Sequence, residues 1–224
     1  MNYPTFKNAY PVVLMPIFLL ILAGCQSTYY RTMEKFGYHK RDILVNRVTE
    51  ARDSQEEAKE QFKSALDEFS SVVNIEGGSL KEKYTRLNAE YEKSNKKALL
   101  VSDRIASVEN VAKALFDEWE AELSQYTNDR LRQNSQGKLT ETKKQYGQLI
   151  DAMKRAEKKI DPVLLAFRDQ VLYLKHNLNA QAIASLRGEL VVIEEDVASL
   201  IREMEVSIDE ADLFIRSMTE ITLN

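Results

Sequence analysis

One thiol and two imidazoles are the side chains best suited to nucleophilic or metal chemistry in this chain: Cys25, His39 and His176. A lone cysteine cannot close an internal disulfide. It can act as a nucleophile, fill a core or accept a lipid, and its neighbours decide which. A metal site needs clustered ligands at fixed spacing, whereas the two histidines are 137 residues apart. They read as ordinary, partly exposed side chains. No G-x-S-x-G, H-E-x-x-H or C-x-x-C occurs. Gly77-Gly78-Ser79 lacks the lysine and the preceding strand of a phosphate loop, so it reads as a turn. Carboxylates abound on helix faces, but without a pocket they imply no acid–base pair. The expectation is a protein that is not an enzyme, with no catalytic residue, no metal and no cofactor.

The neighbours of Cys25 give it a different role. Residues 12–23 form an apolar run of twelve, too short for a bilayer, which takes about 20 residues. That length suits the apolar core of a secretory signal rather than an uncleaved membrane helix. The run ends in Leu22-Ala23-Gly24-Cys25. Small residues before a cleavage point let an extended chain enter a peptidase, and a thiol at the next position can take up a diacylglyceryl group. The tetrad resembles the bacterial lipobox. It implies cleavage before Cys25 and covalent diacylglycerol and acyl chains on that residue, several chains being what stable anchoring requires. Gln26 stands where Asp usually accompanies inner-membrane retention, so the expected place is the outer membrane, with the body in the periplasm. The boundaries read as 1–24 signal peptide, 25–37 lipidated anchor and linker, and 38–224 helical bundle domain.

Directly after the anchor, Tyr29 to Arg41 interleaves aromatic and cationic side chains. Aromatics suit a membrane interface and cations suit anionic head groups. Lys35, Phe36, Tyr38, Lys40 and Arg41 are therefore candidates for membrane docking; the plainer reading is a linker and the first turn of a helix.

These residues must be carried by something, and the rest of the chain is patterned for helix. Beyond residue 24 there is one proline, Pro162, and Lys, Glu, Ala, Leu, Gln and Arg dominate. Leu80, Tyr84, Leu87, Tyr91, Ser94, Ala98, Val101, Ile105, Val108, Ala112, Leu115 and Trp119 follow a strict 4,3 spacing. That rhythm puts them on one seam of an underwound helix. The same rhythm runs from Leu44 to Val72, from Leu139 to Phe167 and from Ile183 to Met204. Asn74–Gly78 reads as a turn, and Ser79 with Glu82 as a capping box for the helix that follows. A second break falls within 126–138, either at Thr127-Asn128 or in the loop-like Asn134–Gly137. Pro162 reads as a kink in a continuing helix, because the heptad phase passes through it. Asn177–Asn179 reads as a last, weak break. The fold class is all-α: an elongated antiparallel bundle or coiled coil of three to four long helices. Leu164, Leu165, Leu172 and Tyr173 form a second stripe on the third segment and read as core rather than partner surface.

Two stretches carry a resemblance: Tyr30-Arg31-Thr32-Met33-Glu34-Lys35-Phe36-Gly37-Tyr38-His39-Lys40-Arg41, and Phe167 through Ala180 (FRDQVLYLKHNLNA). Together with the tetrad they resemble an uncharacterised family of Gram-negative bacterial lipoproteins classed as a domain of unknown function. The resemblance covers nearly the whole mature chain. It implies secretion and helical structure and brings no activity, substrate or catalytic residue.

The net charge is −4, and the acidic and basic residues are well mixed, which excludes the basic stripe of a nucleic-acid binder. The expected partners are the membrane through the lipid anchor, an envelope protein, or a second copy in a homo-oligomer. Long helical segments offer extended surface and little pocket volume. The function expected is therefore structural, as a scaffold, spacer or adaptor in the envelope. The alternative is a regulatory module holding a small ligand between helices. A polar-lined cavity in the bundle would favour the ligand; a continuous packed seam would favour the scaffold.

Overall fold

The computed structural model describes residues 39–74, 79–177 and 180–220. The leader, the Leu22-Ala23-Gly24-Cys25 tetrad, Lys35, Phe36 and Tyr38 lie outside the described residues. Contacts divide the chain between Ile43 and Leu44. Only residues 39–43 of the first unit are described, and the architecture below is that of the second.

All described elements are helices: α1 (Lys40–Asn74), α2 (Leu80–Leu123), α3 (Asp129–His176) and α4 (Ala180–Glu220). At about 1.5 Å per residue, α3 alone runs to roughly 70 Å. Side-chain contacts fix the order around the bundle. Arg104 Nη1 reaches Glu50 Oε2 at 2.7 Å and Lys97 Nζ reaches Glu57 Oε2 at 2.6 Å, joining α1 to α2. Lys154 Nζ lies 2.9 Å from Glu109 Oε2, joining α2 to α3. Arg155 pairs with Glu203 at 3.4 Å, joining α3 to α4. Arg52 Nη1 meets Asp212 Oδ1 at 2.7 Å and closes the ring from α4 to α1. Second contacts, Lys143–Glu120 between α2 and α3, Tyr173–Ser185 between α3 and α4 and Gln55–Ser207 between α1 and α4, show residue numbers rising on one helix as they fall on the other, so all four neighbours are antiparallel, as short connections require.

The seams read from the heptads form the core. Leu44, Val48, Phe62 and Phe69 on α1, Val101, Ile105 and Val108 on α2, Leu149, Met153 and Val163 on α3, and Leu186, Val197, Leu200 and Met204 on α4 are all buried. Across the diagonal the Phe167 ring stacks on Phe62 (centroids 6.5 Å apart) and tilts against Phe69 (6.3 Å), so α1 and α3 also touch. The close backbone approaches are those of α3 with α2 and with α4. Ala98, Ala112, Ala152, Ala156 and Ala211 sit buried at those seams, where a small side chain lets two helices draw together.

Three local details bear on the sequence expectations: the first departs from them, the second decides between the two offered turns, and the third agrees. Ser79 is the N-cap of α2, but its side chain makes no capping hydrogen bond, so the capping box with Glu82 is not formed. The second break is at Ser124–Asn128, not Asn134–Gly137. Asn128 caps α3 by accepting hydrogen bonds from the N–H of Arg130 (3.0 Å) and of Leu131 (3.2 Å). With that cap satisfied, the helix runs straight through Asn134, Ser135 and Gly137. Pro162 lies inside α3 as expected. It deprives the Lys158 carbonyl of its usual N–H donor. Lys158, Asp161 and Pro162 all face solvent, where water can take over the bond.

Candidate functional site

The stripe on α3 is the clearest functional feature of the described surface. Leu165 is 48% exposed, Leu172 45% and Tyr173 39%, while Leu164 is half-buried. This corrects the expectation that these residues are core. The physical reason is the phase of α3: Val163, Phe167, Val171 and Leu174 already fill the inward stripe, and Leu165 and Leu172 fall on the opposite side of the helix. The neighbouring α4 continues the feature with Val191, Val192, Val206 and Leu213, all exposed. The 4,3 rhythm does not mark these four, because they fall out of phase with it. Their signal was apolar residues one and two places after a seam residue, as in Leu190-Val191-Val192 and Glu205-Val206-Ser207.

The same two helices are oppositely charged. Asp129–His176 carries eleven Lys and Arg against six Asp and Glu. Ala180–Glu220 carries three against ten. Lys158, Lys159 and Lys175 on α3 are exposed, as are Glu189, Glu195 and Asp209 on α4. None of the six makes an ion pair among the described residues. The outer face of the α3–α4 pair thus has an apolar spine with a positive and a negative flank.

Among the described residues, grooves open between neighbouring helices, and two of them border α3. One, of about 470 Å³ between α2 and α3, is lined by Asn95, Leu99, Ser102, Lys154, Glu157 and Leu164. A second, of about 390 Å³ between α3 and α4, includes Gln145, Gln148, Glu210 and Leu213. Both are shallow surface features rather than enclosed chambers.

Inside the bundle lies one buried polar contact between α1 and α4. The Ser207 hydroxyl donates to Gln55 Oε1 at 2.7 Å, both residues being fully buried. The Gln55 Nε2 has no partner among the described residues. Tyr146, edge-on to Phe116 at 5.4 Å, has its phenol pushed up to about 12 by burial, with Glu109 adding to the shift. Glu90 is drawn toward a higher pKa by burial, but hydrogen bonds from Lys93 and Gln61 outweigh it and leave the carboxyl below its ordinary value. These groups pin helices to one another, and they do not converge on a shared space.

His39 and His176 are both exposed. Among the described residues no three or more His, Cys, Asp or Glu side chains cluster as metal ligands, and no helix is long and apolar enough to cross a membrane. Of the candidate docking residues, Lys40 and Arg41 are described. Lys40 is buried and Arg41 half-buried in the first turn of α1. Burial lowers the Arg41 guanidinium from its ordinary value, against the opposing pull of Asp42.

The fold and surface define an all-α protein, a four-helix antiparallel bundle with a marked α3–α4 face. The chain belongs to the family described as "Protein of unknown function (DUF2959)", which it matches over residues 29–218. Comparison with the curated proteins gives no match.

Proposed function

We propose that the protein is a lipoprotein of the bacterial outer membrane whose helical body serves in the periplasm as a scaffold or adaptor for envelope proteins. The anchor rests on the sequence: a twelve-residue apolar run that ends in Leu22-Ala23-Gly24-Cys25, in a chain with no other cysteine. The observation that carries the scaffold reading is the core. From Leu44 to Met218, the buried seams of all four helices are filled mainly by Leu, Ile, Val, Phe, Met and Ala side chains, with a few polar residues such as Gln55, Ser94, Thr142 and Ser207 among them. A body whose interior is packed along its length works through its outside. Lys35, Phe36 and Tyr38 are proposed to hold the start of the body against anionic head groups, with the half-buried Arg41 beside them; the buried Lys40 is taken up by the fold instead.

Two measurements test this reading. Metabolic labelling with a palmitate analogue should mark the wild-type chain and lose the mark in Cys25→Ser. Equal labelling of the two sinks the anchor. In-cell crosslinking of the native protein, followed by mass spectrometry, should capture one envelope protein reproducibly and lose it in Cys25→Ser. Capture that does not depend on Cys25 would separate the scaffold role from the anchor.

A further inference from the structure

We infer that the outer face of α3 and α4 is a docking surface for a second copy of this chain, and that the two copies pair in parallel about a two-fold axis running along the helices. The apolar spine sets the location. Leu165 and Leu172 on α3, with Val192, Val206 and Leu213 on α4, are the large apolar side chains this face leaves in water. Burying them against another apolar surface is favourable in proportion to the area covered.

Charge decides what covers them and in which direction. One two-fold arrangement sets the copies antiparallel, with α3 against the partner's α3 and α4 against the partner's α4. It opposes the basic α3 with another basic α3 and the acidic α4 with another acidic α4. A two-fold axis along the helices does the reverse: α3 meets the partner's α4, and α4 meets the partner's α3. Both contacts are then attractive. A surface that is basic on one helix and acidic on the next is self-complementary in this arrangement alone, and an isologous contact requires self-complementarity.

The register follows from contacts within one chain. Arg155 pairs with Glu203, and the Tyr173 hydroxyl reaches the Ser185 hydroxyl at 3.4 Å. Interpolating between these pairs puts Leu165 level with Ile193, next to the exposed Val192. Parallel pairing about the axis preserves levels. Leu165 of one copy therefore comes within a residue of the level of the other copy's Val192, and Lys158 and Lys159 fall about one helical turn from the other copy's Glu195, within reach of a long side chain. The Leu44 ends of both copies also lie on one side, as two bodies tethered to one bilayer need. The inference itself rests on the α3–α4 face and not on the anchor.

Co-expressed chains that each carry one introduced cysteine test it, in the full-length protein with native Cys25 retained and the parent chain as baseline. Leu165→Cys in one tagged chain and Val192→Cys in a differently tagged chain should give a disulfide-linked product carrying both tags after mild oxidation of isolated membranes. The yield should exceed severalfold that of Leu165→Cys paired with Asp53→Cys on α1. Adding Lys158→Glu and Lys159→Glu to the first chain should lower it severalfold, and raised salt should lower it too, since exposed charges are screened. Leu165→Cys linking to itself more than to Val192→Cys would mean antiparallel packing and overturn the parallel pairing. A yield no higher than the Asp53→Cys control would overturn the docking surface altogether. Crosslinking of the parent chain would reveal a free Cys25 thiol and count against the anchor, while leaving the comparison between face positions intact.

Discussion

Gln55 and Ser207 show how much one buried polar pair can matter. Both are fully buried, and one hydrogen bond of 2.7 Å joins them. Removing one member leaves the other desolvated and unpaired, at a cost of about 1–3 kcal/mol; replacing both with apolar groups can be nearly neutral. Ser207→Ala is therefore expected to lower urea stability by that amount, and Gln55→Leu with Ser207→Ala to recover most of it. If the double variant is as unstable as the sum of the singles, the pair is not coupled. Tyr146 gives a second test, by pH. Its folded-state phenol keeps the proton up to about pH 12, while an unfolded tyrosine releases it near 10. Between those values the unfolded chain binds fewer protons, so stability falls as pH rises through that window and is unaffected below it. Tyr146 is only half-buried, so solvent screening keeps the loss at pH 12 well below the roughly 3 kcal/mol that a two-unit shift would give a fully buried phenol. Tyr146→Phe should flatten this part of the stability profile and remove one late-titrating tyrosine from the ultraviolet absorbance titration.

The helix ends differ in how they are held. Asn128 accepts two backbone hydrogen bonds at the start of α3, whereas the Ser79 side chain accepts none at the start of α2. Asn128→Ala should cost about 1 kcal/mol, in the usual range for a formed cap, and Ser79→Ala well under that. Thermal melts of the two variants compare them directly; equal shifts would deny Asn128 its capping role. In the middle of the bundle, Phe167 joins α3 to two rings of α1 and is 4% exposed. Truncating such a side chain loses its burial and leaves a cavity. Phe167→Ala is expected to destabilise by about 3–5 kcal/mol, read as a fall in the denaturant midpoint. Surface pairs such as Lys113–Asp117, both largely exposed, contribute far less.

Across the whole described body, inside and outside have separate jobs. The interior is a filled seam that holds four helices in one order. The outside divides by helix into a basic α3 and an acidic α4 with apolar residues between them. Leu172 belongs to the outside, at 45% exposure. Leu172→Glu should leave the urea midpoint of the fold nearly unchanged, within about 0.5 kcal/mol. It should weaken association between copies, measured as the yield of the Leu165–Val192 crosslink. A large loss of fold stability would mean that Leu172 serves the core after all.

The amino-acid sequence alone determined the helical class, the four seams and the anchor-like tetrad. A 4,3 apolar rhythm has one physical reading, a helix with a single buried side, and it holds at Leu44–Val72, Leu80–Leu115, Leu139–Phe167 and Leu186–Met204. It also carried α3 through Pro162, because the phase on either side agrees. The tertiary structure decided what periodicity cannot see. Whether Asn128 or Asn134–Gly137 breaks the chain depends on which polar side chain turns back onto free backbone N–H groups. Whether Leu165 and Leu172 are core depends on how many helices surround α3; the inward side of α3 in a four-helix ring was already full. The meeting of a basic helix with an acidic one is a matter of which helices are neighbours, and only the packed bundle sets that.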